Sequence, residues 1–154
     1  MMQVWRICKQ RHVPNAFSGS GAEKHGGRWN HKGDRMVYAS SSLSLASLEL
    51  LVHLEPACMP NDLCSIVAAI PDTVSFEELT PADLPANWRD YPAPATLQDI
   101  GAQWLREKRS FLLIVPAAVN PDEKNLLLNP LHPQFATIAD IVSKPFHFDP
   151  RMWK

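Results

Sequence analysis

Thirteen consecutive residues constrain this chain more than any others. Leu43-Ser-Leu-Ala-Ser-Leu-Glu-Leu-Leu-Val-His-Leu-Glu55 follows the triple serine Ser40 to Ser42 and runs into Pro56. Serine oxygens cap helix N-termini and proline cannot continue a helix, so the spacing predicts a helix over about 43–55. Wound at 3.6 residues per turn, the segment is apolar on nearly every side, which predicts a central position in the fold. Its one interior charge is Glu49, whose neighbours at three and four residues are Leu45, Ala46, Val52 and His53. An unpaired carboxylate among hydrocarbon costs several kcal/mol, so Glu49 must be ion-paired with His53 or an arginine, be protonated, or face a water- or ligand-filled cleft.

The remaining pattern is of short strands. Gln3–Cys8, Arg35–Ser40, Leu63–Ile70, Ser110–Val115, Lys124–Asn129 and Lys144–Phe148 read as strands, several of them stopped by a proline. A second helix is expected over about 97–108, with a capping arrangement at Thr96-Leu-Gln-Asp and Leu97, Ile100, Trp104 and Leu105 on its inner face. Pro71 to Pro94 reads as irregular, with at most a short helical turn. Strands outnumber helices without βα alternation, so the class is α+β, with small mixed or antiparallel sheets around a central helix. At 154 residues, without repeats, the chain is expected to be a single domain spanning 1–154.

Charge is unevenly spread beneath a formal net of −1. Residues 1–35 carry seven basic and two acidic side chains, whereas residues 36–100 carry one basic and nine acidic ones. A local basic segment on a near-neutral protein suits a small anion better than a long polyanion, so direct nucleic-acid binding is not expected. No apolar run approaches a membrane span and the opening residues have no signal-peptide core, so the expected location is the cytoplasm. Cys8, Cys58 and Cys64 are read as free thiols. No Cys and His spacing suggests a metal.

Five of the six glycines lie between Gly19 and Gly33, around Arg28-Trp29-Asn30. Glycine at that density permits close backbone approach to a ligand, and a floppy linker rarely spends a tryptophan. Arg28 from this loop, Tyr38 from the next strand and Glu49 from the helix can therefore converge on one pocket. Asn125 and Asn129 are expected to bond backbone in the turn after their strand, and less readily to line the cleft.

Taken together, Val4-Trp-Arg-Ile, Gly26-Gly-Arg-Trp-Asn, Val37-Tyr-Ala-Ser, Ala46-Ser-Leu-Glu-Leu-Leu-Val-His, Ile100-Gly-Ala-Gln-Trp-Leu and Asn125-Leu-Leu-Leu-Asn-Pro-Leu-His-Pro-Gln-Phe resemble the RES-domain proteins, in the same order along nearly the whole chain. These are toxins of bacterial toxin–antitoxin pairs whose partner is an Xre-like helix-turn-helix antitoxin. The resemblance implies a fold like that of ADP-ribosyltransferases and cleavage of NAD⁺ at the nicotinamide–ribose bond. NAD⁺ is then a substrate and no cofactor is required; water or inorganic phosphate would be the acceptor. It assigns Arg28, Tyr38 and Glu49 to catalysis, and Arg6, Trp29 and Asn30 to substrate binding. Transfer of ADP-ribose to a protein is an alternative. So is a catalytically impaired binding module, because Ala117 stands where the family usually has serine. The segments around Trp88, Tyr91 and Trp153 are candidate antitoxin surface.

Overall fold

A computed structural model describes residues 1–153. Seven strands, β1 (Met2–Lys9), β2 (Val37–Ser40), β3 (Leu63–Ile70), β4 (Phe76–Glu78), β5 (Leu112–Pro116), β6 (Lys124–Leu128) and β7 (Ala139–Pro145), join in one sheet of order β4-β5-β6-β2-β1-β3-β7. All neighbouring pairs are antiparallel except β4 with β5. The expected set of small sheets is thus a single mixed sheet. The difference comes from β4, which lies inside the proline-rich stretch read as irregular, and from β7, which runs along 139–145 and not 144–148.

Side chains alternate across the sheet and build a core on each face. Val37, Ala39, Leu112, Leu126 and Leu128 join Val4, Ile66 and Phe111 on one side. Leu113, Val115 and Leu127 face the other way, against α3 (Ala95–Glu107) with its Leu97 and Trp104. The α3 helix begins after Pro94 without a side-chain cap, so Thr96 lies inside the first turn instead of capping it. Trp104 buries its ring and satisfies its indole N–H on Ser110 Oγ at 2.8 Å.

Gly101 explains why α3 can sit so low. A β-carbon there would lie 1.7 Å from the Trp29 carbonyl oxygen, so the helix packs on the backbone of the glycine loop. That loop is more ordered than its glycine content suggests, with a short helix, α1 (Ser20–His25), closed by Gly26 at φ 70°.

The helix α2 (Leu43–Leu51) departs most from expectation. Ser42 caps it, its hydroxyl accepting the Leu45 N–H at 3.1 Å. It ends four residues early, with Val52 as C-cap, and it is not central: only Leu45 and Ala46 are buried, and Val52 is 60% exposed. Apart from Leu45, its leucines are not enclosed by core. Several stand half-exposed, and Leu50, Val52 and Leu54 border a cleft.

Candidate active site

Strands β1 and β2 share one bridge, Trp5 with Ser40, and then diverge. The gap opens into a cavity of about 1260 Å³, above the roughly 300–1,000 Å³ typical of small-molecule sites. Arg6, Arg28, Tyr38, Glu49, Gln98 and Asn125 all contribute to its wall.

Arg28 sits on a tight turn. The Gly27 N–H donates to the Asn30 carbonyl at 3.1 Å, and Gln98 of α3 donates its amide to the carbonyls of Gly27 (3.0 Å) and Asn30 (3.2 Å). Gly27 is required here, because a β-carbon would come within 2.7 Å of the Tyr38 hydroxyl. Arg28 Nη1 donates to the carbonyls of Trp88 (2.7 Å) and Asp90 (3.1 Å), tying the turn to the segment before α3. Burial lowers the Arg28 pKa, and the nearby Glu49 carboxylate opposes that shift, so the two charges feel one another. Among the described residues they form no direct ion pair.

Tyr38 turns its side chain to the same face as Leu127, its partner on β6. Its hydroxyl donates to Asn30 Oδ1 at 2.6 Å and accepts the Trp29 N–H at 3.0 Å. Burial pushes the phenol well above its ordinary range. With the hydroxyl so occupied, the ring is what Tyr38 offers the cleft.

Glu49 lies one turn beyond Leu45 and Ala46, the residues by which α2 grips the sheet, and so projects from the same face. Its Oε1 accepts the Asn125 amide at 2.8 Å, and Asn125 Oδ1 accepts the Ser40 hydroxyl at 2.8 Å. The ion pair with His53 or an arginine is therefore not what holds it. His53 instead meets Tyr91 across the cleft mouth, with ring centroids 6.1 Å apart.

Arg6 spans the divergence of β1 and β2. Its Nη1 donates to the Tyr38 carbonyl, its guanidinium lies 6.0 Å from the Phe17 ring centroid, and its buried Nε has no partner. Burial lowers its pKa; this measures the cost of enclosing a cation, since arginine remains protonated in proteins. Arg6 thus borders the cavity as a wedge between strands.

Asn30 is placed differently from expectation, whereas Trp29 does border the cavity but with little of its surface exposed. Trp29 is 2% exposed and packs with Met36, Leu97 and Trp104. Asn30 is fully buried, its amide donating to the carbonyls of Ala22, His31 and Asp34, and it does not line the cavity. Both side chains build the turn that presents Arg28. The tryptophan signalled an anchored loop, and its contacts are with core.

Ser40 and Gln98 are wall residues that the sequence did not point to, and Asn125, expected to bond backbone and only less readily to line the cleft, does line it. Asn125 had a signal: a polar residue directly before Leu126-Leu-Leu on the same strand. Ala117 is fully buried and outside the cavity lining, although Pro116 and Ala118 border it. Of the candidate partner-facing rings, Trp88 is buried, whereas Tyr91 is 79% exposed. Among the described residues no His, Cys, Asp and Glu side chains group as metal ligands, and no helix is long and apolar enough to cross a membrane.

A RES domain profile matches residues 3–149. The chain belongs to the RES-domain family. A RES relative from Yersinia enterocolitica, named Toxin Res, is 43% identical over 152 residues, spanning 98% of this chain and 99% of the relative. Another, from Sphingobium sp. strain YBL2 and named Prs ADP-ribosylating toxin, is 40% identical over 152 residues, spanning 96% of this chain and 94% of the relative. The crystal structure of the M. tuberculosis MbcT–MbcA toxin–antitoxin complex shares the RES chain's fold, with a TM-score of 0.74 at 17% identity, over 97% of this chain and 85% of that one.

Proposed function

We propose that this RES-domain chain is the toxin of a toxin–antitoxin pair and acts by cleaving NAD⁺ at the bond between nicotinamide and ribose. The observation that carries the chemistry is Glu49: a carboxylate without an ion-pair partner, brought by α2 to the wall of a dinucleotide-sized cleft that also holds Arg28 and the Tyr38 ring. The names of the Yersinia and Sphingobium relatives support the toxin reading, and the latter supports ADP-ribose chemistry.

Breaking the C1′–N bond sends its electron pair to nicotinamide, which leaves neutral, and positive charge develops on the ribose as in glycoside cleavage. Glu49 stabilises that charge and accepts hydrogen bonds from ribose hydroxyls, which strengthen as the bond breaks. No second carboxylate is needed, since the leaving group requires no proton. Arg28 supplies a permanently charged fork for the pyrophosphate, which competes with the Trp88 and Asp90 carbonyls for it. Tyr38 stacks its ring on the nicotinamide. Arg6 adds positive charge behind the substrate, and Trp29 and Asn30 act through the turn they build.

Water attacking C1′ yields ADP-ribose and a proton; phosphate yields the 1-phosphate ester. Transfer to a protein is the second reading, favoured by the name of the Sphingobium relative. Incubating the purified chain with NAD⁺, with and without phosphate and with cell lysate, and identifying products by mass spectrometry separates the three. Free nicotinamide is expected in each arm where the acceptor is present, and intact NAD⁺ in all of them contradicts the proposal. The partner is an Xre-like antitoxin whose co-expression restores growth; unrelieved arrest would contradict that assignment.

A further inference from the structure

We propose that Asn125, itself oriented by Ser40, is a positioning residue for the reaction: it holds Glu49 by one carboxylate oxygen and so fixes which oxygen the substrate meets. The inference rests on the NAD⁺-cleaving reading of the cleft.

The hydrogen-bond polarity has only one solution. A carboxylate accepts and cannot donate, so the Asn125 amide must turn Nδ2 toward Glu49, at 2.8 Å from Oε1. That leaves Oδ1 facing Ser40, whose hydroxyl donates to it at 2.8 Å. Were the amide reversed, Oδ1 would oppose a carboxylate oxygen, and the serine hydroxyl would have to turn its proton elsewhere. The carboxylate forbids this reversal, and the Ser40 hydroxyl, by donating to Oδ1, adds the second bond that holds the amide in place.

The frame behind the pair is rigid. Ser40 and Asn125 are direct partners across β2 and β6, where facing side chains lie close enough to touch, and the Ser41 N–H closes on the Lys124 carbonyl at 3.3 Å. Ser40 is 4% exposed and pairs on its other side with Trp5 of β1. Glu49, by contrast, sits on a short helix gripped mainly through Leu45 and Ala46. The strands are therefore the reference against which the carboxylate is set, and Asn125 is the link. With Oε1 engaged, Oε2 is the oxygen left for the developing ribose charge. Small displacements of a reacting group cost large factors in rate, which makes such a link consequential.

Asn125→Ala, Ser40→Ala, the double variant and Ser40→Thr are compared with wild type for kcat and KM on NAD⁺, with unfolding midpoints measured alongside. Asn125→Ala is expected to lower kcat about tenfold or more with KM nearly unchanged, as for a group acting on the transition state. Ser40→Ala lowers kcat less, has no further effect once Asn125 is alanine, and is rescued by Ser40→Thr, because Ser40 acts only through Asn125. A folded Asn125→Ala protein with wild-type kcat, or independent multiplicative effects of the two alanines, would overturn the proposal. A second measurement needs neither turnover nor an Asn125 variant. The side-chain amide resonance of Asn125 should move in Glu49→Ala, and an unmoved resonance would overturn the contact. Wild-type protein that releases no nicotinamide would instead count against the NAD⁺ reading, with the amide resonance still deciding whether Asn125 holds Glu49.

Discussion

The Tyr38 hydroxyl donates to Asn30 Oδ1 across 2.6 Å, so strand β2 is bonded to the interior of the turn that carries Arg28. The same hydroxyl accepts the Trp29 N–H. Tyr38→Phe strands both partners, and a loss of about 1–3 kcal/mol of stability is expected in denaturant unfolding. The phenol's pKa is raised above its ordinary 10.0, so the folded chain holds that proton to higher pH than the unfolded one does. Its stabilisation is complete below pH 10 and is lost as pH rises toward the folded value. The difference in stability between wild type and Tyr38→Phe should therefore shrink above about pH 10, by up to ~1.4 kcal/mol per pH unit. A constant difference between pH 8 and 11 would contradict this.

Gly101→Ala sets two effects against each other. Alanine favours a helix over glycine by about 1 kcal/mol, but the new β-carbon meets the Trp29 carbonyl oxygen at 1.7 Å, and backbone cannot rotate away. Sterics win, with a net loss of about 1–3 kcal/mol or more. Because Trp29 adjoins Arg28, weaker NAD⁺ binding should accompany the lower unfolding midpoint.

How much was legible in advance follows the physics. Glu49 could be found because a charge in a run of leucines violates burial chemistry, and its convergence with Arg28 and Tyr38 followed from chain order. The position of α2 could not be, since leucines that border a cleft read the same as leucines that fill a core. Asn30 was misplaced for a related reason: a residue that orders a binding loop shares its sequence neighbourhood with residues that touch the ligand. Asn125 lies 76 residues from Glu49, and only the β2–β6 register brings them together.

Arg28→Ala removes the donor to the Trp88 and Asp90 carbonyls as well as the pyrophosphate partner. KM for NAD⁺ should rise about tenfold or more, the worth of a charged hydrogen bond, and limited proteolysis should cut faster near residues 89–92. Arg28→Lys keeps the charge but not the fork, and should fall between. An unchanged KM in both variants would remove Arg28 from the site.

Ala117→Ser introduces a hydroxyl at a position that is fully buried and outside the cavity lining. It should not raise kcat, and the buried hydroxyl should cost about 1–3 kcal/mol unless it finds a partner. A gain in turnover would show that the alanine impairs this chain.

The central claim is that Glu49 stabilises charge as nicotinamide departs, and the most direct measurement is nicotinamide release in Glu49→Gln. That change keeps the side chain's size and an oxygen for Asn125 while removing the charge. The account predicts NAD⁺ binding close to wild type, by calorimetry, with release slowed by about a hundredfold or more, as for other electrostatic stabilisers of a transition state. Release at the wild-type rate from the folded variant would contradict it.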